Sequence, residues 1–301
     1  MKNLLHSKKI GALLRVFAKK PEFVSGAVAQ TLELAEKFLT IAVDGQPIVR
    51  HIEILIPRDE GYSDVDCGET AKALRIAIDL LSWAKGRIFV SEVKHGDLFC
   101  GILNYGMARL SRAGCDYGII ASKEAGSYFN QTTAEAIVQA AEDGALAIGV
   151  ALNELTESIM EGRIANTMAM WHITSLLQVG GFDLRAAKPK KNAIISHKVR
   201  AWDKSRDEPD WTYDLAGVEE IIPLVRLIDT FGQCIAPILP QGDDVQRYIV
   251  PDPAIDRVGY ERHINKMGTK KERHTYFANS EGADLSFLKG GVMESYRHPD
   301  Y

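Results

Sequence analysis

Between residues 48 and 152, strand-length apolar runs alternate with helix-length amphipathic segments, and no other feature of the chain constrains its fold as strongly. The apolar runs are rich in β-branched residues, whereas the segments between them repeat their apolar residues with a helical period. Strands separated by helices of this length imply right-handed crossovers and a doubly wound sheet. The sequence therefore predicts an α/β protein with a Rossmann-like, mostly parallel sheet flanked by helices. The predicted strands cover residues 51–57, 87–93, 117–121 and 145–152.

Start and stop signals support the helices between these strands. Asp66 with Glu69, and Thr132 with Glu135, have the spacing of a capping box at a helix N-terminus. Glycines at 86, 114 and 144 are placed to end helices. Further helices are predicted at residues 24–38 and 168–179, with a turn at residues 43–47.

Composition and charge exclude several classes of protein. Of the residues, 46% are hydrophobic and 25% are charged, which is typical of a soluble globular protein. The net charge of −4 argues against a general nucleic-acid binder, and no apolar run approaches the roughly 20 residues of a membrane span. The four cysteines are widely separated, which favours reduced thiols in an intracellular, cytoplasmic protein.

The first 20 residues are basic, with no acidic residue and with apolar residues interleaved among the lysines and arginines. This pattern predicts an amphipathic helix. Two placements stay open for it. It either rests on the inner surface of a membrane as a peripheral contact, or packs against the domain or against a second subunit of a homo-oligomer.

Three regions are expected along the chain. Residues 1–47 are an N-terminal helical extension, residues 48–250 are the α/β domain, and residues 251–301 are an irregular C-terminal tail. Within the domain, the polar and charged segment 186–212 is expected to form a lid-like loop around a short strand. Ligands of open parallel sheets bind beyond the carboxyl ends of the strands. The polar residues that follow the predicted strands, and that we expect at this edge, are 58–60, 91–95, 122–124 and 153–154.

Several fragments, in order along the chain, resemble one known family. They are the strand that ends in Ile56-Pro57, Asn104 and Gly106 with the segment AGCDY at 113–117, VGGFD at 179–183, and GVEEIIPLVRLIDTFG at 217–232. In this order they resemble the nucleotide-diphospho-sugar transferases of the GT-A fold, especially family 2 glycosyltransferases, over residues 52–240. The strand that ends in Ile56-Pro57 is similar to the opening strand of that family.

The resemblance implies transfer of a sugar from a nucleotide diphosphate donor to an unidentified hydroxyl acceptor, with inversion. Glu220 takes the place of the family's catalytic base, with Glu219 beside it, although two acids just ahead of a helix are also favoured by its dipole, by about 0.3–1 kcal/mol. Trp171 either stacks on a sugar or belongs to the core, and its place in an apolar helix favours the core. The implied donor-binding residues are Pro57, Arg58, Glu60, Glu92, Ser122, Lys123 and Glu124, and the acceptor-side residues are Trp171, Gly181, Phe182 and Asp183.

The chain departs from the family where an Asp-x-Asp motif usually holds a divalent metal on the donor diphosphate. Here the residues are Ser122-Lys123-Glu124. One carboxylate and a hydroxyl make a poor Mg²⁺ or Mn²⁺ site, so Glu124 is the candidate ligand only if a metal is used, and Lys123 either offsets the diphosphate charge directly or points to solvent. This departure leaves a second hypothesis, a nucleotide-sugar-binding or scaffold protein that has lost turnover. A nucleotidyltransferase is disfavoured, because no glycine-rich loop follows the predicted first strand.

Overall fold

A seven-stranded sheet forms the centre of the structure, a computed structural model that describes residues 8–16, 18, 21–58, 67–94, 100–150, 164–186, 218–240 and 251–297. The strands are β1 (Ile10–Arg15), β2 (Ala42–Val43), β3 (Gln46–Pro47), β4 (Val49–Arg58), β5 (Ile88–Lys94), β6 (Tyr117–Ala121), β7 (Ala147–Val150), β8 (Ala165–His172) and β9 (Ile235–Ile238). The sheet order is β5-β4-β1-β6-β8-β7-β9, and β2 and β3 form a separate hairpin.

Helices cover both faces of this sheet. They are α1 (Val24–Thr40), α2 (Cys67–Leu80), α3 (Cys100–Arg112), α4 (Gln131–Glu142), α5 (Ile173–Gln178), α6 (Ile221–Phe231), α7 (Arg257–Ser280) and α8 (Leu285–Gly290). One apolar layer contains residues of α1, α2 and α4, and the other contains residues of α3, α5, α6, α7 and α8.

The strand directions confirm the predicted mostly parallel α/β sheet. Only β8 runs antiparallel to its neighbours among the described strands of this sheet, and it lies between β6 and β7. The order β5-β4-β1-β6 is the order of the first four strands in a doubly wound sheet. The reversed β8 is therefore the feature that distinguishes this sheet from a simple Rossmann sheet.

The prediction of an amphipathic helix in residues 1–20 is wrong for residues 10–15. These residues form β1, which pairs in parallel with β4 on one side and with β6 on the other. A central parallel strand is covered on both faces and is therefore a continuous apolar run, as IGALLR nearly is. The flanking lysines hid this signal by making the segment look basic. Residues 10–15 thus belong to the seven-stranded sheet. In chain order, β4, which ends in Pro57 and Arg58, is the second strand of this sheet and not its opening strand.

Two further predictions are wrong in their element type. Residues 165–172 form β8, so the helix expected at 168–179 is reduced to α5. The tail after residue 250, expected to be irregular, contains the 24-residue helix α7. The Asp256 side chain caps this helix by accepting a hydrogen bond of 2.8 Å from the Gly259 backbone N–H.

The predicted helix start at Thr132 is displaced by two residues. The helix α4 is capped by Asn130, whose side chain accepts a hydrogen bond from the Thr133 backbone N–H at 2.9 Å. Two other predictions, the cap at Asp66 and the lid-like loop from residue 187 onward, lie outside the described residues.

Gly106 allows α3 to lie directly against the sheet. A Cβ built at this position would be 2.7 Å from the Leu55 side chain and 2.9 Å from that of Leu13. We expect Gly106→Ala to lower the free energy of unfolding by about 1 kcal/mol, because overpacking of about 1–3 kcal/mol exceeds a gain in helix propensity of about 1 kcal/mol. The measurement is urea denaturation.

Gly26 in α1 is the matched control, since a Cβ there meets nothing within 4 Å. Gly26→Ala is expected to raise the free energy of unfolding by about 0.5–1 kcal/mol. Equal and positive effects at both glycines would contradict the close contact between α3 and the sheet.

Candidate active site

The starts of α3 and α6 lie at the carboxyl edge of the parallel strands. The helix α6 ends at Phe231, just before β9 begins at Ile235, so it runs back along the sheet and its first residues lie at the opposite, carboxyl edge. By the same argument, Cys100 at the start of α3 lies at that edge. Burial raises the pKa of the Cys100 thiol, and the charges of Glu219, Glu220 and Asp183 raise it further, because these groups are close to one another.

Glu220 is the most enclosed carboxylate of this group. It immediately precedes α6, as expected, and is 2% exposed. Its Oε1 atom lies 3.0 Å from Nε2 of His274 and 3.3 Å from Nζ of Lys270, both on α7. Burial alone would raise the pKa of Glu220, but the charge of Lys270 and the hydrogen bond from His274 outweigh it and hold the pKa below its usual range.

Glu219 is buried beside Glu220 but titrates differently. Burial and then the negative charge of Glu220 raise the pKa of Glu219 to about 7, and the charges of Lys270 and Arg273 offset this rise only in part. A carboxyl group whose pKa is near neutrality is suited to take up a proton during a reaction. The pair therefore combines a persistent carboxylate with a group that can exchange a proton.

Arg273 adds a buried positive charge on α7. Its Nη2 atom donates to the Ala186 carbonyl at 3.4 Å, and its guanidinium carbon lies 5.2 Å from the centre of the Phe277 ring. Burial lowers the pKa of Arg273 to about 10, while the charge of Glu219 acts in the opposite direction. Arg273 therefore stays charged at neutral pH and interacts electrostatically with Glu219.

The predicted acceptor-side turn, residues 179–183, is held by α3. The Asn104 side chain donates to the Phe182 carbonyl and accepts from the Phe182 N–H, both at 2.8 Å. Gly181 has φ +69°, and a Cβ there would be 2.6 Å from Oδ1 of Asn104, so only glycine fits. The structure thus joins two of the fragments that carry the resemblance.

Asp183 in this turn belongs to an ion-pair network. It lies 2.8 Å from Arg185 and 3.2 Å from Arg226 of α6, and both arginines also contact Glu281 at 2.8 Å. The hydrogen bonds from Arg185 lower the pKa of Asp183 below its usual range. The network ties the turn to α6 and to the residue that follows α7.

Trp171 does not offer a stacking surface. Its side chain is fully buried in β8 and packs edge-to-face against Phe182, with ring centres 5.1 Å apart. It therefore supports the turn at residues 179–183 from within the core, in agreement with the core interpretation of this residue. Phe182 is buried as well.

Those predicted donor-side residues that the structure describes lie on or directly after three strands, at the same edge of the sheet. Pro57 is buried at the end of β4, and Glu92 of the neighbouring β5 forms an ion pair of 2.7 Å with Arg75 of α2. Ser122 follows β6, and its Oγ atom is buried with no hydrogen-bond partner among the described residues. The backbone of Lys123 and Glu124 continues into a 3-10 helix, Lys123–Ser127. Glu60 and the side chains of Arg58, Lys123 and Glu124 lie outside the described residues.

Comparison of the sequence with known protein families and with curated proteins finds no match. The structure, however, is similar to a mannosyltransferase from Pyrobaculum calidifontis, solved in complex with GDP-Man and Mn²⁺, with a TM-score of 0.57 and 12% identity over 94% of this chain and 68% of that chain. The chain therefore has a GT-A-type fold. A glucosyl-3-phosphoglycerate synthase from Mycobacterium tuberculosis, in complex with phosphoglyceric acid, is a more distant match, with a TM-score of 0.40 and 11% identity over 97% of this chain and 84% of that chain.

The residues after β6 of this GT-A sheet do not fit a divalent metal. Mg²⁺ and Mn²⁺ are held by several oxygen ligands, and Ser122-Lys123-Glu124 contains one carboxylate next to a lysine. The part of the chain that the structure describes contains no group of three or more His, Cys, Asp or Glu side chains that could hold a metal ion. It also contains no helix long and apolar enough to cross a membrane.

The three basic residues of α7 that complete this site were not predicted from the sequence. Lys270, Arg273 and His274 share one face of the helix with Phe277 and Ala278. This spacing of three and four residues is a helical signal, and two prolines before the segment and Gly282 after it mark its ends. The charge of the segment obscured this periodicity.

Proposed function

We propose that this protein is a glycosyltransferase that moves a sugar from a nucleotide diphosphate donor to a hydroxyl acceptor, with inversion. The observation that carries the proposal is the buried Glu219–Glu220 pair at the carboxyl edge of a GT-A-type sheet. Inverting transfer needs a carboxylate that removes the proton of the acceptor hydroxyl on the side opposite the leaving group. A buried pair that includes one carboxyl with a pKa near neutrality meets this need.

The donor is proposed to lie across the carboxyl ends of β4, β5 and β6. Arg58, Glu60 and Glu92 would contact the nucleotide, and Pro57 would line the same end of β4. Ser122, Lys123 and Glu124 would face the diphosphate, with Lys123 offsetting its negative charge. No step is assigned to a metal, because the donor set does not fit one. Gly181, Phe182 and Asp183 would shape the acceptor side.

Donor binding tests this proposal directly. Calorimetry with a panel of nucleotide sugars, including GDP-mannose, with and without Mn²⁺, is expected to show binding of at least one of them. Lys123→Met is expected to weaken that binding about 10- to 100-fold, since a hydrogen bond to a charged group contributes about 1.5–3 kcal/mol. Lys123→Arg should retain most of the affinity.

Lys72 is the matched charge control, because it is an exposed lysine on α2. Lys72→Met should leave the donor affinity unchanged. Absence of binding to every nucleotide sugar would remove the proposal. Binding without hydrolysis or transfer would favour the nucleotide-sugar-binding or scaffold alternative, which the missing Asp-x-Asp motif motivates.

A further inference from the structure

Two side chains of α7 contact the same oxygen atom of Glu220. Lys270 and His274 are four residues apart and therefore lie on the same side of the helix. An ionised carboxylate only accepts hydrogen bonds, so Nε2 of His274 is the donor to Oε1 of Glu220. His274 is itself fully buried, so this contact is part of the packed interior.

These contacts make Glu220 poorly suited to take up a proton. A hydroxyl group that used Oε1 as its base would have to displace the ammonium of Lys270 or the imidazole of His274. Glu220 is 2% exposed, whereas Glu219 is 8% exposed. Breaking a buried charge pair by removing one partner costs several kcal/mol, so protonation of Glu220 in the folded protein is strongly opposed.

Glu219 lies among the same charged groups as Glu220, but its pKa is raised whereas that of Glu220 is lowered. The charged and titratable groups around the pair are Lys270, Arg273 and His274 of α7, Cys100 of α3, and Asp183 of the acceptor-side turn. Among the charges that act on Glu219, the carboxylate of Glu220 has the largest effect, and this residue is adjacent in sequence and held ionised. A like charge at this distance favours the protonated form of its neighbour.

We infer that Lys270 and His274 are positioning residues that keep Glu220 as a permanent carboxylate and thereby make Glu219 the member of the pair that exchanges a proton. The division of roles rests on the proposed function only where it makes Glu219 the base. In that role, Glu219 takes the proton of the acceptor hydroxyl as the oxygen forms its bond to the anomeric carbon. The bond from that carbon to the donor diphosphate breaks, and the diphosphate leaves with the electron pair.

The proton distribution can be measured without any substrate. In full-length protein labelled with ¹³C at the glutamate carboxyl groups, NMR titration is expected to show a carboxyl with a midpoint near pH 7. That titration should disappear in Glu219→Gln, whereas in Glu220→Gln it should remain but with its midpoint at a lower pH. The opposite pattern, or the absence of any such midpoint in the wild type, would overturn the inference.

Variants of the neighbouring charges should move this midpoint in opposite directions. Lys270→Met removes a cation that favours ionisation, so the midpoint should rise by about one pH unit or more. Glu220→Gln removes the neighbouring anion, so the midpoint should fall. Lys270→Arg keeps the charge and should leave the midpoint within a few tenths of a unit. An unchanged midpoint in folded Lys270→Met would overturn the positioning role.

A double variant keeps the titration measurable if Glu220→Gln alone destabilises the folded protein. Glu220→Gln alone leaves Lys270 without its buried partner, whereas Glu220→Gln with Lys270→Met removes both charges. Its midpoint should lie between those of the two single variants, because the two effects on Glu219 oppose each other. A midpoint equal to that of either single variant would contradict the coupling.

Hydrolysis of the bound nucleotide sugar separates the inference from the proposed function. Glu219→Gln should lower the rate about 10²- to 10⁴-fold, as expected for loss of a general base. Glu220→Gln should retain more activity and move the acid limb of the pH–rate profile to lower pH. If the wild type neither hydrolyses a nucleotide sugar nor transfers its sugar, the proposed function fails. The NMR titration still decides the roles of Lys270 and Glu219 in that case.

Discussion

Replacing Leu13 with aspartate is expected to leave the protein without a cooperative folded state. Leu13 lies at the centre of β1, buried between β4 and β6. Loss of its packing costs about 2–5 kcal/mol, and a buried carboxylate adds several kcal/mol more. The new carboxylate would also lie beside Glu53, its register partner on β4, which is buried. The sum is comparable with the whole stability of a typical domain, about 5–15 kcal/mol.

Circular dichroism and thermal denaturation measure this effect. Leu13→Met is the matched control, since a swap of similar volume costs less than about 1.5 kcal/mol. The experiment also distinguishes the central strand β1 from the amphipathic helix that the sequence pattern predicted for this segment. A cooperative melting transition in Leu13→Asp, close to that of the wild type, would contradict the central position of β1.

Trp171→Ala is expected to lower the free energy of unfolding by about 3–5 kcal/mol. The indole is fully buried, and its register partners on the neighbouring strands are the small residues Gly118 and Ala147. Because these residues cannot fill the vacated volume, the substitution leaves a cavity in the layer between the sheet and α6. Guanidinium chloride denaturation gives the change in free energy.

Trp171→Phe tests the physical origin of this effect. The indole Nε1 atom is buried with no hydrogen-bond partner among the described residues. Phenylalanine removes this N–H, whose burial without a partner costs about 1–3 kcal/mol, and this gain offsets part of the lost volume. The net change should stay within about 1.5 kcal/mol. Leu177→Ala, at an exposed position of α5, should change stability by less than about 0.5 kcal/mol. Similar losses in all three variants would contradict the core role.

The elements that the sequence predicted well are those whose signals are local. β6 has the predicted bounds of 117–121, because a short apolar run lies between a glycine with φ +75° and a polar cluster. The helix α6 begins at Ile221 with the two glutamates just ahead of it, as expected, and it ends at Phe231; Pro223 lies in its first turn and Gly232 follows its last residue. In both cases, the residues that fix the boundary are within a few positions of it.

The elements that failed depend on distant partners. Residues 168–172 have a helix-like composition, but they form the reversed strand β8 because they pair with β6 on one side and with β7 on the other. For residues 10–15, pairing with two strands more than 30 residues away outweighs the basic flanks. Such pairings override local propensity, and the segment alone does not reveal them.

The candidate site shows the same limit. The position of Glu219 and Glu220 ahead of α6 followed from the sequence, and so did the position of Ser122 after β6. The different environments of the two carboxylates did not, because the charges that separate them come from α7, about 50 residues further along the chain. Only the packing of α7 against α6 brings these groups within hydrogen-bonding distance.

The contact between α6 and α7 also sets an order of events during synthesis. A nascent chain that has emerged only as far as residue 250 contains both glutamates and all nine described strands, but none of the cations of α7. Until those cations arrive, water solvates the two carboxylates better than a protein interior does. The contacts of Glu220 with α7 therefore cannot form until residues 270–274 have left the ribosome, and a chain released before that point would lack the side chains that surround the carboxylate pair.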